Sequence, residues 1–303
     1  HLLKYNTHNA RFLYRTINIK TGDKLMISEI EEKYMVINGR IIPVPDAGGI
    51  LAGSSRTIYE VIKVVSGIPL FLEKHMERLE ASARLINYSV TNISNNILKS
   101  ITELIKANDS PEKNIKIIVY NMENTVPDFM AYFIRSSYPT PEQYETGVHG
   151  ILLEEERSNP NAKVVNSGYK ERVAAALAEA KAYEALLVNR EGEITEGSRS
   201  NIFFVRNGKV LTAPKGNVLI GITRAYVFEL CKKLGIEVIE KPITVSMLGE
   251  MDGVFMTGTS PKILPISTIG DMSFSSSKNP VIKALIKSYD DVVEKYIKEK
   301  SIG

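Results

Sequence analysis

The sequence predicts an α/β chain folded as two domains, and three observations carry that prediction. Short β-rich runs alternate with stretches that place apolar residues at helical spacing. A Pro-rich polar stretch, Tyr138-Pro-Thr-Pro-Glu-Gln-Tyr-Glu-Thr-Gly147, interrupts that rhythm near the middle and reads as a linker. A length of 303 residues suffices for two sizeable cores. The expected division is a smaller N-terminal α/β domain over residues 1–143 and a larger C-terminal domain over residues 144–303.

Each element has a local reason. Tyr34-Met-Val-Ile, Tyr59-Glu-Val-Ile-Lys-Val-Val, Ile115-Lys-Ile-Ile-Val-Tyr and Phe129-Met-Ala-Tyr-Phe-Ile are rich in β-branched and aromatic residues and read as strands. Residues 70–86 and 93–107 read as the helices between them. After the linker, Gly150-Ile-Leu-Leu reads as the first strand of the second domain. Residues 169–182 are rich in Ala, Glu and Lys and form a helix by composition. Val173, Leu177 and Ala180 make its apolar stripe, which leaves Lys170 as a solvated helix residue. A further helix begins near Ile222 and Thr223 and stops at Gly235. The apolar run Gly253-Val-Phe-Met enters the hydroxyl-rich turn Met256-Thr-Gly-Thr-Ser260. Residues 280–300 form a final amphipathic helix with Val281, Ile282, Leu285, Ile286, Val292, Val293 and Ile297 on its apolar side. No internal repeat or low-complexity tract is present.

Composition excludes several function classes. With 38 basic and 35 acidic residues the net charge is +3, with no dense basic run, which argues against a nucleic-acid partner. No apolar run reaches membrane-helix length, and the N-terminus lacks a signal-peptide core. The single cysteine, Cys231, cannot form an internal disulfide, and a reducing cytoplasm is the expected setting. The histidines at 1, 8, 75 and 149 offer no metal-ligand spacing, so no metal is expected. His1 opens the chain without a methionine and reads as a tag remnant or trimmed numbering, so residues 1 to about 10 carry no weight in the fold.

The chemistry-bearing signal is Lys163 upstream of Ile194-Thr-Glu196-Gly-Ser-Arg-Ser-Asn201. A lysine amine can hold an aldehyde cofactor as a Schiff base. A carboxylate against a pyridinium nitrogen can keep such a ring protonated and electron-withdrawing. Two stretches offer a phosphate cup. One is Gly221-Ile222-Thr223 at a helix start, where free N–H groups and the positive dipole end meet. The other is Thr257-Gly258-Thr259-Ser260, with its hydroxyls and glycine amide. Taken singly, a Gly-Ile-Thr is an ordinary cap, Glu196 a surface carboxylate and Lys163 a solvated amine.

Together, in this order and at these separations, Lys163, Glu196, Ile222-Thr223 and Thr257-Thr259 resemble the class IV, or fold type IV, pyridoxal-phosphate aminotransferases. That family includes branched-chain and D-amino acid aminotransferases and aminodeoxychorismate lyase. The resemblance spans roughly residues 35 to 290. It includes Ile37-Asn-Gly-Arg-Ile-Ile-Pro-Val-Pro-Asp-Ala47, the Tyr59-Glu60 strand and His75-Met-Glu-Arg78-Leu79. It implies a two-domain fold with pyridoxal 5'-phosphate in the crevice between the domains. Lys163 is then the catalytic lysine, since Lys163-Val-Val-Asn166 meets the family pattern that Lys170 does not. Arg78 becomes the phosphate arginine and Glu196 the pyridinium partner. Ser200, Asn201, Gly221, Ile222, Thr223, Gly258 and Thr259 complete the cofactor site, with Asn201 shaping its turn. Tyr59, Thr259 and Ser260 face the substrate.

The chain departs from the family pattern in places. Ser167 or Gly168 stands where a tyrosine reaching the cofactor is common. Tyr120 and Asn121 stand where a carboxylate-binding arginine is common, which leaves Tyr59 and Arg56 as alternative carboxylate partners. Lys262 follows the hydroxyl turn and reads as solvated. The implied activity is amino-group transfer between an aliphatic amino acid and a 2-oxo acid such as 2-oxoglutarate. The alternatives are a lyase releasing pyruvate and a non-catalytic binder that keeps the fold. A cytoplasmic homodimer is the implied assembly.

Overall fold

The computed structural model describes residues 29–47, 57–156, 161–164 and 167–302. Arg56 and Asn166 lie outside the described residues. The first half builds a six-stranded sheet from β1 (Tyr34–Ile37), β2 (Arg40–Pro43), β3 (Ile58–Val65), β4 (Ile68–Pro69), β5 (Asn114–Tyr120) and β6 (Asp128–Ile134). The spatial order is β2-β1-β6-β5-β3-β4 and neighbouring strands run antiparallel. Helices α1 (Leu72–Leu85) and α2 (Thr91–Ala107) join β4 to β5. They bury Leu79, Ile97 and Ile101 against Ile62, Ile117 and Phe133. Strand β3 alternates buried and half-buried residues, so Ile58, Glu60, Ile62 and Val64 share the inward face.

The second half builds a nine-stranded mixed sheet. Its strands are β7 (Val148–Glu154), β8 (Glu184–Val188), β9 (Ile194–Gly197), β10 (Asn201–Arg206), β11 (Lys209–Thr212), β12 (Val238–Glu240), β13 (Gly253–Gly258), β14 (Lys262–Ile269) and β15 (Met272–Ser273). They lie in the order β12-β11-β10-β13-β14-β7-β8-β9, with β15 on β14. Helices α3 (Pro141–Thr146), α4 (Ser167–Ala180), α5 (Ile222–Leu234) and α6 (Pro280–Ser301) accompany this sheet. Strand β10 is buried on both faces, which is why Ile202-Phe-Phe-Val205 is continuously apolar. Ile202 and Phe204 pack with Val254, Met256 and Leu264 on one side. Phe203 and Val205 pack under α5 and α6, against Val227, Leu230, Ile282 and Leu285, on the other. Gly235 ends α5 at φ 69°, a left-handed cap that glycine adopts without strain.

Two local expectations change. The linker stretch is half helical, because Thr140 and Gln143 form a reciprocal capping box at the start of α3. Tyr144 on that helix donates to the Pro261 carbonyl at 3.0 Å, so α3 is pinned to the second sheet. In α4, Val173 is buried and Leu177 half-buried, while Ala180 is exposed and falls off the apolar stripe.

The two sheets are joined by polar contacts. The Tyr59 amide donates to the Lys163 carbonyl at 3.1 Å, and Ile58 bridges Val164. Asn114 Nδ2 donates to Ser260 Oγ at 2.8 Å, and Thr259 Oγ1 donates to the Val61 carbonyl at 3.4 Å.

Candidate functional site

Between the sheets lies a cavity of about 880 Å³, and every described residue that the resemblance assigned to the cofactor or substrate lines it. Strand β3 and helix α1 carry Tyr59 and Arg78 to one wall. The segment before α4 carries Lys163, held by its carbonyl to Tyr59 and by its amide to Ser82 Oγ at 3.4 Å. The Lys163 side chain is 13% exposed, and its amine stands 5.2 Å from the Tyr59 ring centre and 3.9 Å from Glu60. A lysine so enclosed is no longer the solvated amine of a typical surface.

Glu60 is the residue that sequence reasoning passed over as a family marker. Its carboxylate is fully buried and receives both forks of Arg78, Nε and Nη2, at 2.7 Å each. His75 Nδ1 lies 2.8 Å from the same carboxylate. Burial alone would raise the Glu60 pKa, but the charges of Arg78 and Lys163 and the bonds from Arg78 and His75 hold it well below the ordinary range. Burial pulls the His75 imidazole down from its usual value despite Glu60. For Arg78, burial opposes the charged form, yet Glu60 more than compensates and raises its pKa. Arg78 thus stands oriented, with Nη1 directed to the Ile220 carbonyl at 3.3 Å, beside the start of α5. The signal was present in the sequence: an acidic residue among Ile58, Ile62 and Val64 on the inward register of the strand.

On the opposite wall, Glu196 and Asn201 grip one residue, Leu219. Glu196 Oε2 accepts from the Leu219 amide at 3.1 Å, and Asn201 Nδ2 donates to the Leu219 carbonyl at 2.7 Å. Asn201 thus reaches out of the turn to the loop that leads into α5, and Leu219 ties the Glu196 carboxylate to that same loop. A second buried carboxylate, Glu184, supports the turn from beneath. It accepts from Ser198 N at 3.0 Å, Ser198 Oγ at 2.5 Å, Ser200 Oγ at 2.8 Å and Ala185 N at 2.9 Å. The Ser200 hydroxyl is thereby engaged with Glu184. Tyr169 Oη donates to the Ser198 carbonyl at 3.0 Å and lines the cavity, so a tyrosine does follow Lys163 into the site.

The two phosphate-cup candidates are two walls of one recess. Thr223 Oγ1 lies 3.3 Å from the Gly258 carbonyl, joining the start of α5 to the end of β13. Gly221 caps α5 without a side-chain cap, leaving first-turn amides available. A Cβ on Gly221 would strike Asn201 Oδ1, so glycine is needed for that approach. Thr257 Oγ1 is buried beside this recess with no hydrogen-bond partner among the described residues. An orphaned hydroxyl, uncapped amides and an oriented guanidinium suit a phosphate.

Two lysine expectations are corrected. Lys170 keeps an exposed side chain, yet it lines the cavity with its amine 5.6 Å from the Tyr59 ring centre. Crowding by the cavity wall, and then the like charge of Lys116, lowers its pKa. Helix composition revealed nothing of this, because the relevant neighbours come from the other sheet. Lys262 is not simply solvated: it pairs with Asp290 on α6 at 2.6 Å. Asn121 donates to Asp128 at 2.6 Å, and Tyr120 is buried in a separate cluster.

Similarity to known proteins extends over most of the chain. Residues 57–269 match the family model described as amino-transferase class IV. A probable branched-chain-amino-acid aminotransferase of Thermotoga maritima is 30% identical over 243 residues, covering 78% of this chain and 86% of the relative. A D-alanine aminotransferase of Bacillus licheniformis is 29% identical over 238 residues, covering 75% and 83%. Among solved structures, the branched-chain amino acid aminotransferase from Thermobaculum terrenum in its PLP-form superposes with a TM-score of 0.75. It is 25% identical, with 88% of this chain and 96% of that chain covered.

Proposed function

Because the chain belongs to the class IV aminotransferases, we propose that it is a pyridoxal-phosphate enzyme in which Lys163 carries the cofactor and moves the substrate's α-proton. The observation that carries this reading is the enclosure of the Lys163 amine between Tyr59 and Glu60, in a cavity that also holds Glu196 and an uncapped helix start. When bound, pyridoxal phosphate supplies an electron-withdrawing ring that spreads the electron pair left as the Cα–H bond breaks.

The chain's own residues do the rest. Arg78, the first-turn amides of α5, and the hydroxyls of Thr223, Thr257 and Thr259 would hold the phosphate. Glu196, fixed through Leu219, would accept the ring N–H and favour its protonated form. The Lys163 amine must be neutral to act as a base on the substrate's α-proton. Tyr59 walls the substrate side, and Val61, Ile134 and Val164 beside it suit an aliphatic side chain. The preferred donor is an aliphatic amino acid, and the acceptor a 2-oxo acid.

The test is the visible absorption of protein mixed with pyridoxal phosphate, followed through a panel of L- and D-amino acids, beside Lys163→Ala. A lysine-bound band that only an aliphatic donor class bleaches, and that the variant lacks, is the expected outcome. Turnover should fall about 10²- to 10⁴-fold or more in the variant. A band retained in Lys163→Ala but lost in Lys170→Ala would transfer the role to Lys170. Pyruvate release without amino transfer to an added oxo acid would replace the transferase reading by the lyase.

A further inference from the structure

Helix α6 reaches the recess at the start of α5, and the sequence pattern did not foresee it. Tyr289 was absent from the expected apolar stripe, yet it is 5% exposed and packs in the core cluster shared by α5 and α6. Its ring lies 6.0 Å from that of Tyr226 and 6.3 Å from that of Phe71, which fixes its direction. Its hydroxyl is 3.3 Å from Thr223 Oγ1, and Thr223 Oγ1 is in turn 3.3 Å from the Gly258 carbonyl.

We propose that Tyr289 is a positioning residue for the phosphate recess, donating to Thr223 so that the threonine's own hydroxyl proton is presented to the phosphate. The reasoning is a count of protons. A carbonyl only accepts, while each hydroxyl has one proton to give. The order that satisfies all three oxygens runs from Tyr289 to Thr223 to Gly258. The reverse order, with Thr223 donating to Tyr289, leaves the Gly258 carbonyl without that donor. A phosphate oxygen arriving in the recess is a stronger acceptor than a carbonyl. The Thr223 proton then turns from Gly258 to the phosphate, while the bond from Tyr289 occupies a lone pair and keeps the hydroxyl from turning inward. Burial pushes the Tyr289 phenol up to about 12, with Asp290 assisting and Thr223 opposing, so it remains a donor throughout the working pH range.

This inference rests on the phosphate reading of Thr223, and its test separates the two. Binding of pyridoxal phosphate and of pyridoxal, which lacks the phosphate, is measured by absorption for the wild type, Tyr289→Phe, Thr223→Val and the double variant. Tyr289→Phe keeps the ring that the core requires. It is expected to weaken pyridoxal phosphate about three- to tenfold, the worth of one hydrogen bond, while pyridoxal binding stays unchanged. In the Thr223→Val background the same change should have no effect on the phosphate-bearing ligand. Equal weakening of both ligands, no weakening of either, or an undiminished effect in the Thr223→Val background overturns the proposal. If the wild type forms no lysine-bound band, the Lys163 reading fails. Titration of inorganic phosphate into the wild type and Tyr289→Phe then decides the Tyr289 proposal by the same criterion.

Discussion

The two walls of the cavity are built on different physical plans. The wall from the six-stranded sheet is ionic: one fully buried carboxylate, Glu60, holds Arg78 and His75, with Lys163 at 3.9 Å. The wall from the nine-stranded sheet relies on amides and hydroxyls. Glu184 is held there by serines and backbone N–H groups, and Glu196 is fixed through the amide of Leu219. A buried ion pair draws its strength from both partners being present, since either alone is a costly charge. A carboxylate ringed by neutral donors spreads the same burden over several weaker bonds. The first plan fixes the direction of one guanidinium. The second holds a turn and a helix start in place through bonds from serine hydroxyls and backbone amides.

That contrast can be broken most severely at Glu60. Glu60→Gln removes the carboxylate that both forks of Arg78 meet and should cost roughly 3–5 kcal/mol in urea unfolding near neutral pH. The pH dependence carries a definite sign. The folded pKa of Glu60 is depressed, so its contribution is complete above the ordinary value of 4.5 and fades as pH falls towards the folded value. The gap between wild type and Glu60→Gln should therefore narrow in the acid range. A gap that stays constant down to acid-induced unfolding would show that the ion pair does not supply it.

At the opposite wall the expected loss is smaller. Glu184→Gln keeps an oxygen for the amides of Ala185 and Ser198 and for the Ser198 hydroxyl, and the Ser200 hydroxyl can rotate to meet the new NH₂ group. A cost of about 1–3 kcal/mol follows from exchanging charge-assisted bonds for neutral ones. Because the turn also carries Glu196 and Asn201, the variant should hold pyridoxal phosphate less tightly as well. Stability lost without any change in ligand binding would separate the turn from the site. Smallest is Lys262→Met, which deletes a partly exposed pair with Asp290 and should shift stability by no more than about 1 kcal/mol. A larger shift would mean that the positive backbone angle at Lys262, φ 52°, depends on that pair.

The sequence by itself determined the elements and singled out residues that the fold gathers around one cavity. Period-2 and helical spacing located the strands and helices, because those patterns record which face each element must bury. Lys163, Glu196, Asn201 and the start of α5 were legible because each sits in a local stretch whose residue types suit its chemistry. What lay between stretches was not legible. Glu60 pairs with Arg78 across 18 residues, Leu219 joins Glu196 across 23, and Tyr289 meets Thr223 across 66. Lys170 reads as solvated from its helix and becomes a cavity residue only beside Tyr59 of the other sheet. Local sequence encodes which face is apolar and where a helix starts. Hydrogen-bond partners and the field at an ionisable group depend on atoms brought within a few ångströms by packing, and only the tertiary structure decides those.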